Sequence, residues 1–142
     1  MKQKMKQAHM RAAYAYSLTS HCVRRKVGCV IVSDPQDGND TVVSIGYNGT
    51  PAGEDNICEL DNGLTKPCVI HAEDNALRKL NNKAIGLHLF CTTAPCESCA
   101  KLILTSGVSH VYYDVQYNTN IGLDLLRDNN IVVEQITLNE LI

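Results

Sequence analysis

The sequence predicts an α/β protein built as a three-layer α/β/α fold around a central mixed sheet of about five strands. Two β-branched segments near the start are separated by turn residues, as in a hairpin. The rest of the chain alternates between strand-like and helix-like segments. The chain has 142 residues, of which 44% are hydrophobic and 20% charged, and this composition fits a single domain over residues 1–142.

The first half of the chain predicts a helix, a hairpin and an irregular segment. Helix-forming residues predict an opening helix over about residues 3–20. The segments "VGCVIV" (27–32) and "TVVSIGY" (41–47) predict two strands, with a turn at 34–40. Residues 48–68 contain Gly, Pro, Asn and Asp with few periodic apolar positions, and they predict an irregular stretch.

The second half predicts three helices, each followed by a strand. The helices are expected near 72–81, 97–106 (ending at Gly107) and 122–129, and the strands near 87–92, 108–114 and 131–136. Crossovers between parallel strands of one sheet should be right-handed.

Charge and hydropathy exclude two classes of partner. The net charge is −2 and the pI is about 6.2, which disfavours a groove for nucleic acid. No apolar run reaches the roughly 18 residues of a membrane-spanning helix, and the first segment lacks the apolar core of a secretion signal. We therefore expect a cytoplasmic protein that binds neither nucleic acid nor membranes.

Seven cysteines are many for this length. Their odd number, without a secretion signal, predicts reduced thiols and metal ligands rather than a disulfide framework. Cys29 and Cys91 lie inside predicted strands and are expected to be small buried hydrophobic residues.

Two short motifs carry the predicted chemistry: His71 and Glu73 in "IHAEDNAL", and Cys96 and Cys99 in "APCESC". Each motif opens a predicted helix, and helices that follow adjacent parallel strands lie side by side. One imidazole and two thiolates would give zinc three protein ligands, leaving a fourth position for a water of lowered pKa. Glu73 is then placed to accept and donate protons.

This combination of His-x-Glu with Pro-Cys-x-x-Cys is typical of zinc-dependent nucleobase deaminases. Each part has another interpretation on its own. Cys96 and Cys99 alone would fit half of a structural zinc knuckle or a redox pair. Glu73 alone would fit a carboxylate that the helix dipole favours. The joint occurrence of the motifs favours the catalytic zinc site.

The chain resembles the deoxycytidylate (dCMP) deaminases of bacteria, animals and tailed phages. The resemblance extends from about residue 11 to residue 133 through "RRKVGCVIVS", "SIGYNGTPAGEDN", "IHAEDNAL", "TTAPCESCAKLILTSGV" and "VYYDVQYN". The segment "GYNGTPAG" separates this group from the tRNA adenosine deaminases. The resemblance implies hydrolysis of dCMP to dUMP and ammonia, which supplies dUMP for thymidylate synthesis.

The resemblance also implies substrate-binding residues. Asn48 matches a position that contacts the sugar or base, although it would also fit a turn asparagine. Tyr117 matches an aromatic residue near the substrate phosphate, although core packing would also explain it. For the phosphate itself, the basic cluster offers Arg25 first, with Lys26 and Arg24 behind it, and a solvated basic turn is the alternative.

A second, structural zinc is implied by similarity to some phage relatives. Its expected ligands are Cys22, Cys58 and Cys68, with His21 as a fourth. The alternative is three free thiols without a shared role.

Assembly and regulation are expectations carried by the resemblance alone. They comprise a homohexamer, activation by dCTP, inhibition by dTTP with Mg²⁺, and an effector pocket near "GYNG". Two other functions stay open: another zinc deaminase acting on cytidine, dCTP, single-stranded cytosine or a tRNA adenosine, and a non-catalytic, zinc-stabilised nucleotide-binding module.

Overall fold

The order of helices and strands agrees with the prediction. The computed structural model describes residues 1–35, 40–81 and 84–138, so residues 36–39 of the predicted hairpin turn lie outside it. The elements are α1 (Gln3–Ser17), β1 (Gly28–Val32), β2 (Val42–Tyr47), α2 (Ala72–Arg78), β3 (Leu87–Thr93), α3 (Glu97–Leu104), β4 (Val108–Val115), α4 (Ile121–Asp128) and β5 (Val132–Gln135).

The first three helices end two or three residues before their predicted ends. Beyond α1, the amides of Thr19 and Ser20 bond to the carbonyls three residues earlier. Such bonds tighten the last turn of a helix and are common at helix ends. Periodicity and helix propensity do not locate such a boundary to within two or three residues, so the predicted helices were too long.

The five strands form one mixed sheet in the order β2-β1-β3-β4-β5. The hairpin strands pair antiparallel, and β1 also pairs antiparallel with the central β3. The pairs β3–β4 and β4–β5 are parallel. The predicted mixed sheet of five strands is confirmed.

Helices cover both faces of the sheet. On one face, Val30 and Phe90 pack against Met10 of α1. On the other, alternate residues such as Ile31 and Leu89 pack into a core with α2, α3 and α4. The three-layer architecture is confirmed. No helix in the described part of the chain combines the length and apolar character needed to cross a bilayer.

Two details of the core bear on the site. Cys29 and Cys91 are fully buried and face each other across β1 and β3, as the strand positions predicted. Gly46 of β2 lies directly against α2, because a Cβ built on it would approach the Ala72 carbonyl oxygen to 2.3 Å. The missing side chain lets α2 pack closely on the sheet.

Candidate active site

The two predicted motifs lie at the starts of two neighbouring helices. His71 is the residue before α2, and Cys96 is the residue before α3. The strands that precede these helices, β2 and β3, run in the same direction but are separated by the antiparallel β1. The expectation of adjacent parallel strands was therefore wrong, although the helix starts do meet.

Three metal-binding atoms converge at this meeting point. The Nδ1 atom of His71 lies 3.4 Å from the Sγ atom of Cys96 and 3.4 Å from that of Cys99. Tetrahedral zinc with ordinary bond lengths would hold nitrogen and sulfur about 3.6 Å apart. The donor set and its spacing therefore fit a zinc ion.

The electrostatics of the three donors favour negative charge on the sulfur of Cys96 and disfavour it on that of Cys99. Hydrogen bonds, first from Cys99 and then from His71, lower the pKa of Cys96 to about 3. The Cys99 pKa is raised, because this thiol is hydrogen-bonded to Cys96 and buried. The pKa of His71 is raised, chiefly through its hydrogen bond with Cys96. Thiolate is the form of cysteine that binds zinc.

Glu73 lies in the first turn of α2 and is 3% exposed. Burial raises the pKa of its carboxyl group to about 7, against opposing effects of its own backbone amide and His71. A carboxyl group with such a pKa exchanges protons readily near neutral pH. The position and protonation behaviour of Glu73 suit proton transfer beside the three donors.

A cavity of about 180 Å³ opens onto His71, Glu73 and Cys96. It brings together most of the side chains that the sequence predicted for catalysis and substrate binding. Its lining residues are Arg24, Arg25, Val27, Asn48, Thr65, Val69, His71, Ala72, Glu73, Thr93, Ala94, Cys96, Tyr117 and Asn118.

The basic cluster contributes two of its three residues to this cavity. Arg25 lies beside Tyr117, with its guanidinium carbon 5.4 Å from the ring centroid, and Arg24 also lines the cavity. Lys26 does not line it, and its Nζ donates a hydrogen bond to the Ser20 carbonyl at 2.5 Å. The structure therefore ranks Arg24 above Lys26 as a partner of Arg25.

Asn48 lines the cavity, but its side chain also holds the backbone beside it. Its Nδ2 donates to the Arg25 carbonyl at 2.7 Å, and its Oδ1 accepts from the Val27 amide at 2.9 Å. An amide side chain has two donors and two acceptor sites, so one of each remains for other partners. Asn48 thus stabilises the backbone of residues 25–27, and this role does not depend on whether it also contacts a substrate.

The predicted second metal site is replaced by a disulfide. Cys22 and Cys58 are joined by a disulfide bond, so neither sulfur is a free thiolate ligand. Cys68 is exposed and stands apart from this pair, while the group beside the two sulfurs is the Glu59 carboxylate. The ligand set that the resemblance implied was therefore wrong, and the expectation of reduced thiols from the odd cysteine count was wrong for Cys22 and Cys58. A cysteine count does not determine which sulfurs the fold brings together.

Seven of the fourteen lining residues were not anticipated as site residues, among them Asn118, Thr65 and Val69. Asn118 follows Tyr117 beyond the carboxyl end of β4, where α/β folds commonly bind ligands. Thr65 and Val69 come from the irregular segment, whose sequence shows no periodicity that would orient them. Of these three residues, only Asn118 could have been suspected from the sequence, because it follows a predicted strand.

Comparison with known proteins agrees with this geometry. The profile of the cytidine and deoxycytidylate deaminase zinc-binding region matches residues 3–115. The chain belongs to the cytidine and deoxycytidylate deaminase family. The crystal structure of a dCMP deaminase from the cyanophage S-TIM5, in complex with dCMP and dUMP, is 41% identical, covers 96% of this chain and 99% of its own, and has a TM-score of 0.89.

Family members of other sizes are also similar. A deoxycytidylate deaminase of Mycobacterium phage D29 is 34% identical over 71% of this chain and 87% of its own length. That of Saccharomyces cerevisiae is 32% identical over 92% of this chain but only 44% of its own length. The chain therefore spans less than half of the yeast family member. These matches confirm the resemblance drawn from the sequence.

Proposed function

We propose that this protein is a zinc-dependent dCMP deaminase, which hydrolyses dCMP to dUMP and ammonia and supplies dUMP for thymidylate synthesis. One observation carries the proposal. Two of the three zinc-binding residues, His71 and Cys96, line one cavity with the buried Glu73 and with Arg24 and Arg25. The third, Cys99, lies directly beside His71 and Cys96. This arrangement suits a small substrate with an amino-bearing ring at one end and an anionic group at the other.

In this mechanism His71, Cys96 and Cys99 hold the zinc. When bound, zinc supplies the Lewis acidity that lets water act as a nucleophile near neutral pH. Glu73 accepts the proton that the attacking water loses and delivers it to the ring nitrogen next to the reacting carbon. It then takes the remaining proton of the hydroxyl group added to the reacting carbon and transfers it to the departing amine, so that water and dCMP give dUMP and ammonia.

The remaining cavity residues would bind the nucleotide. Arg25 is proposed as the phosphate contact, with Arg24 beside it. Tyr117 would pack against the sugar-phosphate end next to Arg25. Asn48 would use its remaining donor and acceptor for the sugar or base.

Regulation and assembly belong to the same proposal. A second cavity of about 210 Å³ adjoins the first through Asn48 and is lined by residues of the "GYNG" region, including Tyr47 and Thr50. We propose that it is where dCTP activates and dTTP with Mg²⁺ inhibits, in a homohexamer. Activity against dCMP concentration with each effector, and the mass of the assembly in solution, would test this. The cytoplasmic location stays a prediction.

The main test is to follow the loss of cytosine absorbance with dCMP, dCTP, deoxycytidine and cytidine. We expect dCMP to be the best substrate. Glu73→Gln should keep the bound zinc and the fold while lowering kcat about 10²- to 10⁴-fold. The matched control is Glu97→Gln, which removes an exposed carboxylate from the first turn of α3.

Two results would refute the proposal. Unchanged turnover in Glu73→Gln would contradict the role of Glu73 in proton transfer. A preference for cytidine over dCMP would contradict the phosphate contact at Arg25 and favour a nucleoside deaminase.

A further inference from the structure

The segment that carries the cavity arginines has no regular secondary structure of its own. It lies between α1 and β1, and we call residues 23–27 the basic turn. Arg24 and Arg25 of this turn line the cavity. Backbone amides that are not part of a helix or sheet need other partners, and long arginine side chains are only as well placed as the backbone beneath them.

Glu59 supplies partners for two of these amides. Its Oε2 atom accepts hydrogen bonds from the backbone amides of Val23 and Arg24, each at 3.1 Å. Both bonds are charge-assisted, which makes them stronger than bonds between neutral groups. Glu59 itself comes from the irregular segment, 35 residues along the chain from Arg24.

Two further contacts hold the turn and Glu59 in place. The disulfide joins Cys22 to Cys58, which are the residues directly before Val23 and Glu59. At the other end of the turn, Asn48 bonds to the backbone on either side of Lys26, as described above. Glu59 therefore fixes the amino-terminal half of the basic turn, and Asn48 fixes the carboxyl-terminal half.

We propose that Glu59 is a positioning residue for the anionic end of the substrate. It acts through the backbone of the basic turn, which it holds so that Arg24 and Arg25 face the cavity. This inference rests on the proposed function, since it assumes a phosphate at that end. The negative charge of Glu59 would repel a phosphate and so does not assist phosphate binding. Glu59 acts instead through the position of the oxygen that accepts the two amides.

Three substitutions separate geometry from charge. Glu59→Ala removes the acceptor, and Glu59→Asp keeps the charge but shortens the side chain by one methylene. Glu59→Gln keeps the length and a carbonyl oxygen that can accept both amides. We expect KM for dCMP to rise about tenfold in the Ala and Asp variants, with kcat within about twofold of wild type. The Gln variant should have a KM equal to or below that of wild type.

Deoxycytidine provides the comparison without phosphate. Its kcat/KM should be the same in all three variants, because a fault confined to the phosphate end does not affect it. A wild-type KM for dCMP in Glu59→Ala would overturn the proposal. So would a Glu59→Gln variant as impaired as Glu59→Ala, and if it also lost zinc, Glu59 would be a metal ligand with Cys22 and Cys58.

Amide hydrogen exchange tests the inference independently of turnover. The amides of Val23 and Arg24 should exchange fastest in Glu59→Asp and closer to the wild-type rate in Glu59→Gln, which keeps the acceptor oxygen but not its charge. Equal exchange in all variants would overturn the proposal. If wild type did not deaminate dCMP, the proposed function would fail, whereas the exchange rates would still decide whether Glu59 holds the turn. Should Glu59→Ala fail to fold, the Asp and Gln variants provide the same comparison.

Discussion

Replacing Gly46 by alanine should weaken the candidate zinc site without touching any of its ligands. A Cβ at Gly46 would lie 2.3 Å from the Ala72 carbonyl oxygen and 2.6 Å from the Ala76 amide nitrogen, both in α2. Ordinary contact of a Cβ begins at 3.4 Å, so α2 would have to move away by about 1 Å. Such overpacking typically costs about 1–3 kcal/mol of folding free energy.

The movement matters because α2 carries His71 and Glu73 while α3 carries the two cysteines. Metal–ligand distances tolerate deviations of only about 0.2 Å, and a 1 Å misplacement of catalytic groups costs on the order of 10²-fold in rate. We therefore expect Gly46→Ala to lower both zinc affinity and kcat/KM for dCMP, the latter about 10²-fold. Zinc affinity would be measured by competition with a chelator, and kcat/KM from the loss of cytosine absorbance.

Gly49→Ala is the matched control in the same "GYNG" segment. No atom of the residues that the structure describes lies within 4 Å of a Cβ at this position, and its backbone does not need glycine. Without effector nucleotides, this variant should retain wild-type zinc affinity and turnover. A Gly46→Ala protein with unchanged zinc affinity and kcat/KM would refute the reasoning, because it would show that α2 does not transmit the displacement to the site.

Two other predictions concern pH and metal removal. Burial, with the neighbouring His110, lowers the pKa of His88 to about 4 from 6.5. The unfolded chain therefore binds a proton at higher pH than the folded one, so stability should fall as pH decreases from 6.5 to 4, by at most about 3 kcal/mol from this group. Urea unfolding should show a shallower pH dependence in His88→Gln, and an identical dependence would contradict the assignment. Dialysis against a chelator should abolish turnover and lower Tm, and zinc content should be close to one per chain in wild type and near zero in Cys99→Ser. A content of two would contradict the disulfide between Cys22 and Cys58.

Most of the candidate catalytic centre could be predicted from the sequence because it depends on local order. His71 and Glu73 are separated by a single residue, and both cysteines fall within one helical turn, so a helix start determines the relative positions within each pair. Cys99 thus shares the first turn with Cys96. The alternation of strands and helices was predictable for the same reason, since periodicity is read within short windows.

The surroundings of the centre depended on tertiary structure. The disulfide between Cys22 and Cys58 joins residues that are 36 positions apart in the sequence. The hydrogen bond between Glu59 and Arg24 joins residues that are 35 positions apart. Asn48 was expected at the substrate, but the fold also uses it to hold the backbone of Arg25. None of these contacts has a periodic signature.

The sequence by itself determined which residues are the candidates for binding zinc and transferring protons, and the order of the elements that carry them. Tertiary structure alone decided how the irregular segment crosses the basic turn, and hence which cysteines pair and which arginines face the cavity. The physical reason is that short-range patterns reflect backbone periodicity, whereas the path of an aperiodic segment is set by contacts with residues distant in the chain.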